Sequence, residues 1–224
     1  MKRLPVIAID GYSSTGKSSI SKQIAKKLGL IHMDTGALYR GITLFALQNC
    51  SADGKIDKDI LFKNFDNMKL EFREESGVLV LYLNDKNISS EIRSLEVSNN
   101  VSFIAKQSEV RDFLMETQRS IASNGGVVMD GRDIGTVVLP NADYKFFLTA
   151  SVEERTRRRH LELISLGEEA DVESVKNNLV TRDKIDSERE FSPLKQAEDA
   201  ILIDNTNLNQ EETLKLILSY IKEF

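Results

Sequence analysis

Five short apolar runs punctuate the chain, at Val6 to Asp10, Leu30 to Met33, Gly126 to Asp130, Lys145 to Ala150 and Ile201 to Asp204. Each is nearly continuous rather than alternating, as expected of strands buried on both faces, and helical periodicity fills most of the space between them. That alternation predicts an α/β fold built on a five-stranded parallel sheet flanked by helices. After the first run, Ile20, Ile24, Ala25 and Leu28 fall on one helical face. Near the other end, Asn209 and Glu212 have the spacing of a capping box, and Leu214, Ile217 and Ile221 then repeat at helical intervals, so a helix closes the pattern.

The rhythm breaks between Asn67 and Arg93. Leu70 and Phe72 alternate with polar residues, and Val78 to Leu83 is a β-rich run between Glu75-Ser76-Gly77 and Asn84-Asp85. This segment reads as a small inserted antiparallel hairpin or meander, serving either as decoration or as a cover for a binding site. No internal repeat or low-complexity tract is present.

Composition narrows the class. At 224 residues the chain suits one domain with insertions, and its 41% hydrophobic and 29% charged residues are those of an ordinary globular protein. No apolar run reaches bilayer-spanning length. The stretch after Met1-Lys2-Arg3 is too short for a signal peptide, so it is expected to be a buried strand. One cysteine, Cys50, forms no internal disulfide, and two histidines are too few for a zinc site. A cytoplasmic location is expected, without membrane contact. The net charge of −5 argues against a nucleic-acid polymer as partner and favours a small phosphorylated ligand met by a local cluster of cations.

The first candidate for that ligand follows the first strand. Gly11-Tyr12-Ser13-Ser14-Thr15-Gly16-Lys17-Ser18 is a phosphate-binding loop between a strand and a helix, with Ser19 next to it. Gly11 and Gly16 let the backbone turn tightly and bring its N–H groups near phosphate oxygens. Lys17 supplies a mobile charge for the β and γ phosphates, Ser18 offers a hydroxyl oxygen to Mg²⁺, and the helix adds its positive dipole end.

Other charged residues are expected at the same carboxyl edge of the sheet. Asp34-Thr35-Gly36-Ala37-Leu38-Tyr39-Arg40 reads as a strand end, a turn and a helix, and Asp130-Gly131-Arg132-Asp133 delivers an arginine between carboxylates. Val175, Leu179, Arg182, Asp186 and Arg189 share a helical stripe that turns from apolar to charged. It is either a solvated face carrying ion pairs or a ligand site. Arg155, Arg157, Arg158 and Arg159 form a second cluster on a predicted helix, where charge runs are usually solvated.

With Asp34–Arg40, the run Ile88–Ser102 leading to Arg111, the block Asp130–Pro140 and the block Arg182–Leu194, the chain resembles the bacterial cytidylate kinases of the nucleoside monophosphate kinase family over essentially its whole length. The resemblance implies a P-loop kinase fold with a helical lid. Residues 1–224 would form one domain, with an acceptor-binding region at about 35–110, the β insert at about 67–93 and the lid at about 152–167. It implies transfer of the γ-phosphate of ATP to CMP or dCMP with Mg²⁺, and a monomer is expected. Carried onto matching positions, Arg40, Arg132 and Arg189 would hold the acceptor phosphate, Arg182 and Asp186 its sugar, and Thr35, Ser102, Arg111 and Asp133 its base. Cytosine's N4 donor suits Ser102 and the Asp133 carboxylate, and its N3 and O2 acceptors suit Arg111. Lys17, Asp130, Arg132, Arg189 and Arg158 would carry the catalysis. Asp130 would orient a metal-bound water or Lys17, and arginines drawn from 155, 157, 158 and 159 would act on the ATP phosphates.

The chain departs from the family pattern at Tyr12, Ser14 and Ser19, where Pro, Gly and Thr are common, and at Ile185, where Arg is frequent. From the residues alone, two other readings stay open: a P-loop kinase for UMP or another small metabolite, and an ATP-dependent switch or adaptor. The Asn-Lys-x-Asp segment of guanine-specific switches is absent.

Overall fold

The computed structural model describes residues 3–52, 55–75 and 78–222. In chain order the strands are β1 (Val6–Gly11), β2 (Ile31–Asp34), the short pair β3 (Ser51–Ala52) and β4 (Lys55–Ile56), β5 (Leu70–Glu75), β6 (Val78–Leu83), β7 (Lys86–Asn87), β8 (Val127–Asp130), β9 (Tyr144–Thr149) and β10 (Ile201–Asp204). The α-helices are α1 (Lys17–Leu28), α2 (Thr35–Asn49), α3 (Lys58–Lys63), α4 (Leu95–Ala105), α5 (Ser108–Ala122), α6 (Val152–Ser165), α7 (Val172–Glu188) and α8 (Gln210–Tyr220).

The five expected strands form one sheet in the order β10-β9-β1-β8-β2, and every pairing in it is parallel. β1 is central and wholly buried. Its side chains alternate between two cores, Val6 and Ala8 facing one and Ile7 and Ile9 the other. The first core is closed by α2, α4, α5 and the β insert, the second by α1 and α8. Each buried isoleucine contributes about 2 kcal/mol. The capping box at the start of α8 is formed, with Asn209 and Glu212 bonding each other's backbone N–H.

The insert is a three-stranded antiparallel sheet, β5-β6-β7, whose first pairing runs from Leu70↔Leu83 to Glu75↔Val78. The Ser76-Gly77 turn expected there lies outside the described residues. Leu70, Leu81 and Ile88 approach α2 at Gly41. A third, smaller core of Leu163, Val175 and Leu179 joins α6 to α7.

Two local expectations are corrected. β2 passes into α2 with no intervening turn, because Asp34 ends the strand and caps the helix, its side chain accepting from Ala37 N at 3.3 Å. Arg189 is not on α7 with Arg182 and Asp186. It is the C-cap residue, in extended conformation, and its side chain therefore leaves the direction of the helical stripe.

Candidate active site

Because the sheet strands are parallel, Gly11, Asp34, Asp130 and Asp204 all end at the same edge, where a cleft of about 940 Å³ opens. One end is walled by the loop from Ser14 to Ser19, the other by α2, α4 and the segment after β8.

The two loop glycines serve different ends. At Gly11, with φ +144°, a Cβ would lie 2.0 Å from the Leu148 carbonyl oxygen, so a side chain there would push β1 off β9. Gly16, with φ +84°, has open space around it and is needed for its left-handed backbone at the start of α1. Ser14 also takes a left-handed conformation, φ +60°. Gly11, Tyr12 and Ser13 lie behind the cleft wall rather than on it. Tyr12 packs edge-on against Phe147, and Ser13 N donates to Asp183 Oδ1 at 3.2 Å.

Lys17 is buried, and its Nζ donates to the Tyr12 carbonyl and, at 3.4 Å, to Thr15 Oγ1. Burial first, and Arg132 second, hold its pKa well below the usual lysine value. An anion arriving beside it would favour the charged form. Ser18 Oγ donates to Asp130 Oδ2 at 2.7 Å, and the other oxygen of Asp130 is 2.7 Å from His32 Nε2. Asp10, just before the loop, is pushed up to about 6 by burial, although it accepts the backbone N–H groups of Ile134 and Gly135 at 2.8 and 2.7 Å.

At the opposite end, Arg40, Arg132, Arg159 and Arg182 crowd together, and burial first, then their neighbouring guanidiniums, lower Arg40 and Arg182. Arg40 donates to Ser98 Oγ at 2.9 Å. Arg132 spans the cleft, its Nε 3.0 Å from Asp186 Oδ2 and its Nη2 2.9 Å from Ser13 Oγ. Arg182 is pushed down to about 9, first by burial and then by Arg40 and Arg132, and its Nε is buried without a partner. A crowd of guanidiniums with an unsatisfied donor is a cup shaped for an anion.

Arg189 belongs to a deeper group. Its Nη2 is 3.3 Å from Asp133 Oδ1, while Arg111 pairs with Oδ2 of the same carboxylate and stacks over Tyr39. Burial lowers Arg189, with Arg111 adding to it. Arg182 lies among Arg40 and Arg132, while Arg189, expected with them, bonds Asp133 in the same cleft. Ser102 and Thr35 line the same end, Thr35 Oγ1 donating to the Asp130 carbonyl at 2.8 Å.

The α6 arginines also separate. Arg155 does not line the cleft. It is buried beneath the loop, pairs with Asp183 and donates to the carbonyls of Ala150 and Ser13 at 3.0 and 3.3 Å. The expected contact with ATP would require Arg155 to leave these partners. Arg157 is exposed and bonds Glu154; Arg158 bonds Glu154 and, at 3.0 Å, Asn205 Oδ1; Arg159 lies by the arginine cup. Glu154 is held near 2 by Arg157, with Arg158 adding to it.

Several site residues escaped the sequence reading. The segment Asn205–Gln210 borders the loop, with Asn205 Nδ2 2.9 Å from the Thr15 carbonyl. Applying the carboxyl-edge rule to the fifth strand would have found it. Asp10, Asp183 and His32 gave no signal, because their partners are distant in sequence.

A protein-family model described as cytidylate kinase matches residues 7–223. The chain belongs to the cytidylate kinase family. It is 48% identical over 224 residues to a cytidylate kinase of Flavobacterium psychrophilum, which covers 99% of both chains. It is 49% identical over 223 residues to one of an Exiguobacterium species, covering 100% of this chain and 99% of that one, and 48% identical over 217 residues to one of a Geobacillus species, covering 97% and 96%. Cytidylate kinase chemistry is ATP-dependent phosphoryl transfer, in which a divalent cation ordinarily accompanies the triphosphate. Among the described residues no three His, Cys, Asp or Glu side chains form a cage for a metal. Mg²⁺ needs none, since one or two protein oxygens suffice when phosphates and waters complete its shell. The Ser18 hydroxyl, its proton directed at Asp130, fits that need.

Proposed function

We propose that this protein transfers the γ-phosphate of ATP to CMP or dCMP, giving ADP and CDP or dCDP. The observation that carries the reading is one cleft joining a phosphate loop with its buried lysine to a cup of crowded arginines and, beyond it, a carboxylate flanked by two more.

ATP would lie on the backbone from Ser14 to Ser19, with Lys17 released from the Tyr12 carbonyl onto its phosphates and Arg158 beside it. Mg²⁺, held through Ser18 and the phosphates, would neutralise charge on the β and γ oxygens. The acceptor phosphate would sit among Arg40, Arg132 and Arg182, its sugar near Asp186, and its base against Ser102, Arg111, Asp133 and Arg189. The acceptor oxygen is already anionic at neutral pH and needs no strong base. Catalysis is then a matter of aligning two polyanions and stabilising the charge between them. Arg132 touches the loop and the cup at once, which suits a residue acting on the transferred group.

Residues 1–224 are taken as one kinase domain working as a monomer on small nucleotides in the cytoplasm. Within it, residues 35–110 would bind the acceptor and the α6 region, 152–167, would act as lid. Closure would keep water from the γ-phosphate. No helix among the described residues is long and apolar enough to cross a membrane. The test is ADP release with CMP, dCMP, UMP and AMP at fixed Mg·ATP. Strong stimulation by CMP and dCMP is expected, and a protein that leaves CMP unphosphorylated refutes the reading.

A further inference from the structure

Ser18 and Asp130 are tied to a third side chain that the reaction as described does not use. His32 sits on β2, beside β8, and its Nε2 lies 2.7 Å from Asp130 Oδ1, while Asp130 Oδ2 takes the Ser18 proton at 2.7 Å. The Asp130 backbone is held too, by Thr35 Oγ1 on its carbonyl at 2.8 Å. The carboxylate is buried and the imidazole side chain is 19% exposed, so water does not readily substitute for the histidine.

We infer that His32 is a positioning residue for the donor site: it holds Asp130 in the one orientation that turns the Ser18 hydroxyl proton inward and leaves the Ser18 lone pairs facing the cleft. A serine hydroxyl serves as a cation ligand only when its proton points away from the cation. A carboxylate bonded on one oxygen alone is free to rotate, and Lys17 is near enough to attract it. Fixing the second oxygen removes that freedom. Partners of this outer kind affect metal affinity by about 10–100-fold in well-built sites. In its Nε2–H tautomer His32 donates to this carboxylate, which accepts only.

The inference rests on the loop being the Mg·ATP site, and the experiment separates the two. Binding of ATP to the full-length protein is measured by calorimetry at pH 8 with excess Mg²⁺ and again with EDTA, together with CMP binding, for wild type, His32→Leu and His32→Gln. Leucine is expected to weaken Mg·ATP binding about tenfold and to leave metal-free ATP and CMP binding within about twofold, a split that general damage to the fold would not produce. Glutamine, whose amide N–H still reaches Asp130, is expected to recover most of the loss. If the leucine protein does not fold, His32→Ala with and without added imidazole replaces it, and imidazole is expected to restore Mg·ATP binding selectively. Equal affinities in wild type and variant, or equal losses with and without magnesium, overturn the role of His32. Failure of wild type to bind Mg·ATP overturns the donor-site reading instead.

Discussion

Two buried carboxylates illustrate how single residues in this molecule trade stability for placement. Asp10 is raised from its ordinary 3.8 to about 6 by burial, so the folded state binds its proton more tightly than the unfolded chain does. Its contribution is therefore most favourable below about pH 4 and is lost as pH rises to about 6, a difference of about 3 kcal/mol. Asp10→Asn removes this dependence. In denaturant titrations from pH 4 to 7, the variant's stability relative to wild type is expected to improve as pH rises, and a constant difference would contradict the assignment. Asp133 lies between Arg111 and Arg189, and in the proposed base site its charge would select what it faces. A carboxylate accepts from the N4 amine of cytosine and opposes the O4 of uracil. Asp133→Asn supplies a donor as well as an acceptor. The ratio of kcat/KM for CMP over UMP is expected to fall by about tenfold or more, toward what one hydrogen bond discriminates.

Among the elements, α2 links the insert to the chemistry. Gly41 follows Arg40, and a Cβ there would lie 2.8 Å from Leu70 and 3.3 Å from both Leu81 and Ile88. The insert is thus packed onto the turn of helix that presents Arg40. Gly41→Val is expected to cost about 1–3 kcal/mol by overpacking and to raise KM for CMP several-fold without changing ATP affinity. An unchanged KM would mean that the insert is decoration. On α6, the four arginines divide in the same testable way. Arg155→Ala strands the Asp183 carboxylate in the interior and is expected to cost about 3–5 kcal/mol in chemical denaturation. Arg158→Ala is expected to leave stability nearly unchanged and to lower kcat.

At the scale of the whole molecule, the proposed donor and acceptor halves of the cleft meet through Arg132, bonded to Ser13 on one side and Asp186 on the other. Arg132→Ala is expected to lower phosphoryl transfer by at least about a hundredfold, as removal of a preorganised charge does, while ATP affinity stays within a few-fold in direct binding. Loss of ATP affinity equal to the loss of rate would move Arg132 to the donor site alone.

By itself, the order of residues determined the five strands, their parallel arrangement, the phosphate loop and the closing helix, because each rests on local periodicity or on a motif confined to neighbouring residues. The two charged segments Thr35–Arg40 and Asp130–Asp133 were placed at the right edge by the same logic, since parallel strands must all end there. Which arginine faces which partner was decided only by the tertiary structure. Arg155 and Arg158 are three residues apart on one helix, yet that spacing and the position of Asp183 bury one beneath the loop and leave the other at the cleft. Arg189 left the helical stripe because α7 ends one residue before it. His32 acquires a partner solely because β2 lies beside β8, a pairing between strands about a hundred residues apart that no local pattern encodes.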